Sequence, residues 1–270
     1  MALTIRITVA PSDVELVSDV LWGIGVVAVE ELVGADETVI LRTSLGEDRE
    51  AVRRAMDALP LALDWTFDVV DDRTVEAWRD HVRPFEVGDT LLVVPAWNVE
   101  SITDVARTRV TIEPGATFGM GDHPTTRGCL ELLERMVVVD RSVLDVGCGS
   151  GILGIVSLMM GARHAHGIDI NPASVEVSRL NARLNDVGDR WTVSQEYPHE
   201  AHDIVFANIL APVLIDLSDE IARSVASTGV LILSGVLDGR YEHVLKEYSD
   251  FVVSDRLVID GWASLLLARR

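Results

Sequence analysis

The sequence predicts a small α+β domain followed by a larger α/β domain built on a doubly wound parallel sheet. Across roughly the first seventy residues, strand and helix periods alternate in the order β-α-β-β-α-β. From Ser142 onward, short apolar runs alternate with helical stretches, which calls for a parallel sheet with helices on both faces. Between the first of those runs and the helix after it lies a glycine-rich turn, Gly147-Cys148-Gly149-Ser150-Gly151. A chain of 270 residues has room for one large domain or two smaller ones, and 48% apolar with 24% charged residues excludes global disorder.

In the first domain Leu3, Ile5, Ile7 and Val9 occupy alternate positions, the period of a half-buried strand. Pro11 breaks it. Ser12 reads as an N-cap with Glu15 three residues on, a capping-box pattern, and Val14, Val17 and Leu21 follow at helical spacing until Gly23 and Gly25. Val26 to Leu32 reads as a second strand, Gly34-Ala35-Asp36 as a turn and Thr38 to Arg42 as a third strand. Asp48 to Leu59 is expected to be helical, with Val52, Ala55, Met56 and Leu59 on one face and Pro60 as its stop. Trp65, Phe67 and Val69 alternate as a fourth strand. This order is the ferredoxin-like split arrangement, a packing solution that names no chemistry. With no catalytic cluster in it, residues 1–72 are expected to recognise or dock a partner. Thr74 to Val82, containing Trp78, reads as a short helix. Pro84, Gly88 and Pro95 punctuate the chain after that helix, so residues 73–100 are expected as a linker segment and 101–270 as the chemical domain.

In that domain Val143 to Val146 is a strand ending in glycines, and Ile152 to Met160 a helix closed by Gly161. His164 to Ile170 is a second strand. Asn171 caps a helix with Pro172 at its first position, its buried face expected to be Ala173, Val177, Leu180 and Leu184. Trp191 to Val193, Asp203 to Ala207 and Val230 to Ser234 read as strands, with helices over Pro212 to Val225 and Arg240 to Tyr248. Phe251 to Val258 and Trp262 to Ala268 form an antiparallel hairpin around Asp260-Gly261.

The charge balance, 23 basic against 43 acidic residues for a net −20, argues against gripping nucleic acid, which needs a basic footprint. No direct nucleic-acid binding is expected. Two cysteines, Cys129 and Cys148, can form neither a disulfide framework nor a zinc ribbon. No run reaches roughly 18 apolar residues, so no membrane span is expected. Met1 to Arg6 lacks the basic head and apolar block of a signal peptide, which makes the cytoplasm the expected location.

Ligands of doubly wound sheets bind at the carboxyl ends of the strands, and there the chemistry-bearing residues gather. The glycine turn contains the dinucleotide pattern G-x-G-x-x-G as Gly149, Gly151 and Gly154, a weak signal alone. Asp169, at the end of the next strand, offers two carboxylate oxygens for two ribose hydroxyls. Asp145 separates the cofactor classes, because a carboxylate repels a pyrophosphate and attracts the ammonium of S-adenosyl-L-methionine. Its bland alternative is an aspartate bonding turn amides. Cys148 reads as a small packing residue, since no basic partner stands beside it in the motif. Asn208 ends the fourth strand, where an uncharged amide can accept a bond from an attacking amine without holding it as ammonium. The alternative is an asparagine satisfying loop backbone. Pro124 starts a helix whose apolar face is Cys129, Leu132, Leu133 and Met136, and Gly119 and Gly121 before it suggest a loop that closes over a ligand. His123 reads as a helix-entry residue, with a catalytic base as the lesser option, and no second ligand at ligand spacing makes it a metal site.

Four segments together resemble one family: Gly119-Met120-Gly121-Asp122-His123-Pro124-Thr125-Thr126, Asp145 to Leu153, Gly167-Ile168-Asp169-Ile170-Asn171-Pro172, and Ala207-Asn208-Ile209-Leu210-Ala211. They look like the ribosomal protein L-eleven methyltransferase (PrmA) family. The stretch Trp78 to Trp97, Leu233 to Leu237 and the closing Trp262 hairpin match as well. The resemblance implies a Rossmann-like, seven-stranded class I methyltransferase domain preceded by a substrate-recognising ferredoxin-like domain. It implies an enzyme that methylates amines of a large-subunit ribosomal protein, with S-adenosyl-L-methionine as donor; separately, a monomer is expected. The family's cofactor positions fall on Thr126, Gly147, Asp169 and Asn208, and Asp145 and Gly149 belong to the same loop. The chain departs from the family's usual residues at Met120 and Asp122.

Overall fold

The computed structural model describes residues 2–23, 26, 29–34, 38–43, 49–59, 61, 63–70, 83–101, 106–113 and 120–270. The expected helix from Thr74 to Val82 lies outside them, as do Phe118 and Gly119 of the loop before Pro124. The chain divides into two compact units, Met1–Val82 and Arg83–Arg270.

The first unit is a four-stranded antiparallel sheet of β1 (Ala2–Val9), β2 (Val29–Val33), β3 (Val39–Thr43) and β4 (Asp64–Val70) in the order β2-β3-β1-β4. Helices Val14–Gly23 and Arg49–Asp57 connect the strands. Ile5, Ile7 and Val9 alternate into a core with Val17, Leu21, Leu41, Val52 and Met56, as the period-two and helical spacings require. One detail differs at the first helix. Pro11–Asp13 is a 3-10 turn whose N-cap position is Ala10, so Ser12 lies inside the entry turn rather than at its N-cap position. A proline early in such a turn supplies the fixed φ that starts it.

The second unit holds a seven-stranded sheet in the order β10-β9-β8-β11-β12-β14-β13. Its strands are β8 (Ser142–Val146), β9 (His164–Ile168), β10 (Trp191–Ser194), β11 (His202–Asn208), β12 (Val225–Leu237), β13 (Phe251–Ile259) and β14 (Trp262–Arg269). β14 runs antiparallel to both of its neighbours, and the other pairings are parallel. Helices Pro124–Glu134, Ile152–Met159 and Pro172–Leu184 bury one face of the sheet around Leu130, Leu133, Ile155 and Phe206. Ala211–Asp216, Ser218–Arg223 and Tyr241–Leu245 cover the other, around Leu214, Ile221, Val244 and Tyr248. Sequence order reverses between β8 and β11, which places the ligand crevice at their carboxyl ends.

Four expectations change. The single helix from Pro212 to Val225 is two short ones, because Leu217 leaves helical angles (φ −98°, ψ 11°) between them. β12 is 13 residues long and continues past Ser234 through a register shift between Leu233 and Val236. Within the expected linker, Phe85–Val87 is β5 and Leu91–Pro95 is β6; with β7 (Thr108–Ile112) they form a three-stranded sheet of order β5-β6-β7. Every residue of β6 is buried, and the Glu134 carboxylate at the end of the Pro124 helix accepts the Asp89 and Thr90 amides of the β5–β6 turn at 3.0 and 2.9 Å.

The fourth change concerns the Pro172–Leu184 helix, which turns inward not its leucines but Ser174, Val175, Ser178, Asn181 and Ala182. Leu180 and Leu184 are exposed. The reason is polar. Asn181 Oδ1 accepts the Glu113 amide at 2.8 Å, while its Nδ2 donates to the carbonyls of Glu113 and Ser150, both at 2.9 Å. One turn on, the Asn185 side chain does the same for the Thr111 amide and carbonyl at 2.8 and 2.7 Å. Two side-chain amides thus pair with the backbone at the end of β7 as a neighbouring strand would, and the helix rotates to deliver them.

Candidate active site

The turn after β8 is held by its own strand neighbours. The Gly147 and Cys148 amides donate to the Ile168 carbonyl at 2.8 and 2.9 Å. Gly147 has φ +70°, and a Cβ there would stand 2.3 Å from Ile209 Cγ2. Gly235 in β12 has φ +86°, and a Cβ there would stand 2.2 Å from the Ile209 carbonyl oxygen. Ile209 therefore threads between two glycines that no larger residue could replace, and this close passage carries Asn208 to the side of the loop.

Asp169 follows β9 directly. Its Oδ2 accepts the Gly149 amide and its Oδ1 the Asn171 amide, each at 2.9 Å. An ionised carboxylate has about four acceptor positions, so each oxygen keeps capacity for a hydroxyl donor. Asp169 thus locks the turn while remaining able to bind a diol.

Asp145 is buried, and its Oδ2 accepts the Gly154 amide at 3.2 Å. Burial, reinforced by the charge of Asp169, pushes its carboxyl up to about 7 against the opposing pull of the Gly154 bond. Asp145 thus bonds an amide in the first turn of the helix after the loop, and it stands in the wall of a small cavity with Thr126, Gly147, Cys148, Ile152, Leu153 and Asn208. Cys148 is buried there, and burial raises its thiol well above the ordinary range, which leaves it a packing residue.

Asn208 and Thr126, 82 residues apart in sequence, meet in this cavity. Asn208 Nδ2 donates to Thr126 Oγ1 at 3.3 Å, and among the described residues its carbonyl oxygen accepts no hydrogen bond. Thr126 is fixed from behind: the Thr125 carbonyl accepts the hydroxyls of Ser234 (3.3 Å) and Ser264 (3.5 Å), themselves 2.8 Å apart. This buried serine pair ties the start of the Pro124 helix to β12 and β14, and its signal in sequence was only two serines within apolar runs.

His123 caps the Pro124 helix. Its Nδ1 accepts the Thr125 amide at 3.3 Å, and its ring lies edge-on to Trp262 at 5.4 Å. Burial lowers its pKa, partly offset by Asp122. Met120 packs against the core, whereas Asp122 faces solvent.

Size does not locate the site. A larger depression of about 420 Å³ lies along edge strand β10, lined by Arg179, Arg183, Asp189 and Trp191, but none of the loop carboxylates or Asn208 reaches it.

The arrangement is a glycine turn after β8 with one acid near the end of that strand, a second acid just after β9 and an asparagine at the end of β11. The family described as Ribosomal protein L11 methyltransferase (PrmA) matches residues 43–270. The chain belongs to that family. The enzyme is accordingly a methyltransferase. It is 39% identical over 206 residues to the ribosomal protein L11 methyltransferase of Chromohalobacter salexigens, a match covering 74% of this chain and 68% of that protein. The counterpart from Pseudomonas putida is 33% identical over an alignment of 291 positions that covers 99% of each chain. The crystal structure of the ribosomal protein L11 methylase from Lactobacillus delbrueckii subsp. bulgaricus superposes with a TM-score of 0.64 at 27% identity, over 70% of this chain and 100% of that one.

Proposed function

We propose that the enzyme transfers methyl groups from S-adenosyl-L-methionine to amino groups of the large-subunit ribosomal protein L-eleven, lysine ε-amines or the N-terminal α-amine. The observation that carries this reading is Asn208: its amide nitrogen is turned to Thr126 and its carbonyl left open, in one cavity wall with Asp145 and Gly147. The relatives' names support the substrate, and a cytoplasmic reaction is part of the same proposal.

The residues fit the cofactor. Asp169 has acceptor capacity for two ribose hydroxyls beyond its two amide bonds. Asp145 is a buried carboxyl whose burial penalty an ammonium would relieve. Thr126, Gly147 and Gly149 complete the wall and the turn. When bound, S-adenosyl-L-methionine supplies an electrophilic methyl group on a sulfonium.

What remains for the protein is to deliver a neutral amine in line. A free lysine has a pKa near 10.4, so roughly one in a thousand is neutral at pH 7.4. The apolar side chains of Ile152 and Leu153 disfavour the ammonium. Solvent takes the proton before the amine enters. The Asn208 carbonyl then accepts an amine N–H, which orients the nitrogen lone pair without adding negative charge. Alignment of this kind can supply a large part of a barrier reduction. His123 is engaged as a helix cap, so the scheme assigns it no proton. The Met1–Val82 unit, whose described residues bring together no catalytic cluster, serves substrate recognition in this scheme.

The test is to incubate the enzyme with methyl-labelled S-adenosyl-L-methionine and ribosomal proteins from cells lacking it. Label in L-eleven supports the reading; label in another protein, or in none, overturns it.

A further inference from the structure

Away from the glycine loop, at the amino-terminal end of the seven-stranded sheet, His164 opens β9 and His202 opens β11, on either side of β8. Glu200 lies in the loop just before β11. The ligand atoms of these three side chains all lie within 4.8 Å of one another, and the two imidazole rings are 6.1 Å apart. His202 is fully buried, and neither Nδ1 nor Nε2 has a hydrogen-bond partner among the described residues. A buried imidazole with both nitrogens unpaired is unfavourable unless something binds there. The nearby His166 does not satisfy it, because its Nε2 is engaged with Ser194 Oγ at 3.0 Å. Glu200, His164 and His166 are the charged or titratable groups that act on His202.

We propose that His164, Glu200 and His202 bind a divalent transition-metal ion, zinc being the natural occupant of such a donor set. Two imidazoles and a carboxylate are borderline donors that suit zinc and its neighbours, whereas magnesium and calcium prefer all-oxygen shells. In a tetrahedral site with bonds of about 2.0–2.2 Å the donors sit roughly 3.3–3.6 Å apart. The trio therefore has to contract by no more than about 1.5 Å. The fourth position is left to water. β9 runs five residues from His164 toward Asp169, about 16 Å at strand rise, so the ion is remote from the cofactor residues. Its effect is to staple β9 to β11 across β8. The 37 residues between His164 and His202 hide the site in sequence, although four of the seven histidines fall from 164 to 202.

The experiment is calorimetric titration of the full chain with zinc chloride in a non-coordinating buffer, with magnesium chloride as the comparison, followed by thermal unfolding with and without zinc. The expected result is one zinc per chain, a higher unfolding midpoint with zinc, and no response to magnesium. Because His202→Asn changes a fully buried side chain and could unfold the sheet, Glu200→Gln and His164→Asn carry the decision, with far-UV circular dichroism verifying their fold. Each should weaken zinc binding by about tenfold or more. No stoichiometric binding to the unaltered chain, or unchanged affinity in both variants, overturns the site.

Discussion

Asp145 should make cofactor affinity depend on pH. Its carboxyl titrates at about 7 in the free protein because burial and the charge of Asp169 outweigh the single amide bond from Gly154. An ammonium placed beside it favours the ionised form and lowers that pKa, so the complex holds fewer protons than the free protein. Affinity therefore falls as pH drops below the free pKa and levels off above it. A carboxyl titrating near 7 is about half ionised at pH 7 and about 3% ionised at pH 5.5, so the dissociation constant should rise roughly sixteenfold over that span. The folded protein alone shows the opposite sign: with an unfolded pKa near 3.9, the native state binds this proton more tightly, and its stabilising share is lost as pH rises from about 4 to about 7. The assay is calorimetry with S-adenosylhomocysteine from pH 5.5 to 7, on the unaltered chain and on Asp145→Asn. The variant should bind more weakly at pH 7 and show a flat profile. A flat profile in the unaltered chain, or the same slope in the variant, refutes the ammonium assignment.

Asp169→Ala should weaken S-adenosylhomocysteine binding by about a hundredfold or more, from two charge-assisted bonds of roughly 1.5–3 kcal/mol each; an unchanged dissociation constant in a folded variant sinks the ribose role. Asn208→Ala should cut single-turnover methyl transfer about a hundredfold, or roughly 2.7 kcal/mol, with the rate still rising with pH. His123→Ala should keep that pH dependence and cost about 1 kcal/mol of stability as a lost helix cap; loss of the pH dependence in its place would make His123 the base. Asn181→Ala removes the bonds to the Glu113 amide and carbonyl and to the Ser150 carbonyl, at roughly 0.5–1.5 kcal/mol for each. Its unfolding midpoint should drop by several degrees, and an unshifted midpoint would show that the pairing with the end of β7 is dispensable.

By itself the sequence determined what local chemistry can specify. The turn after β8 needs glycine at fixed spacing, and Asp145, Asp169 and Asn208 stand at or beside the ends of their strands, so their places along the chain were legible before any contact was known. Pro124 and Pro172 announced their helices because proline suits a first turn. Tertiary structure decided whatever depends on a distant partner. Apolar spacing pointed to Leu180 and Leu184 as the inner face of their helix, yet Asn181 and Asn185 turn inward because β7, far back in the chain, ends in backbone groups that need them. β6 is a short, wholly buried run with no alternation to betray it, and β12 passes through Gly235 because β14 pairs with it on both sides of the register shift. The meeting of Asn208 with Thr126, and of His164 with Glu200 and His202, follows from strand order. Periodicity reports which way a side chain faces within its own element; which elements become neighbours is settled by packing the whole sheet.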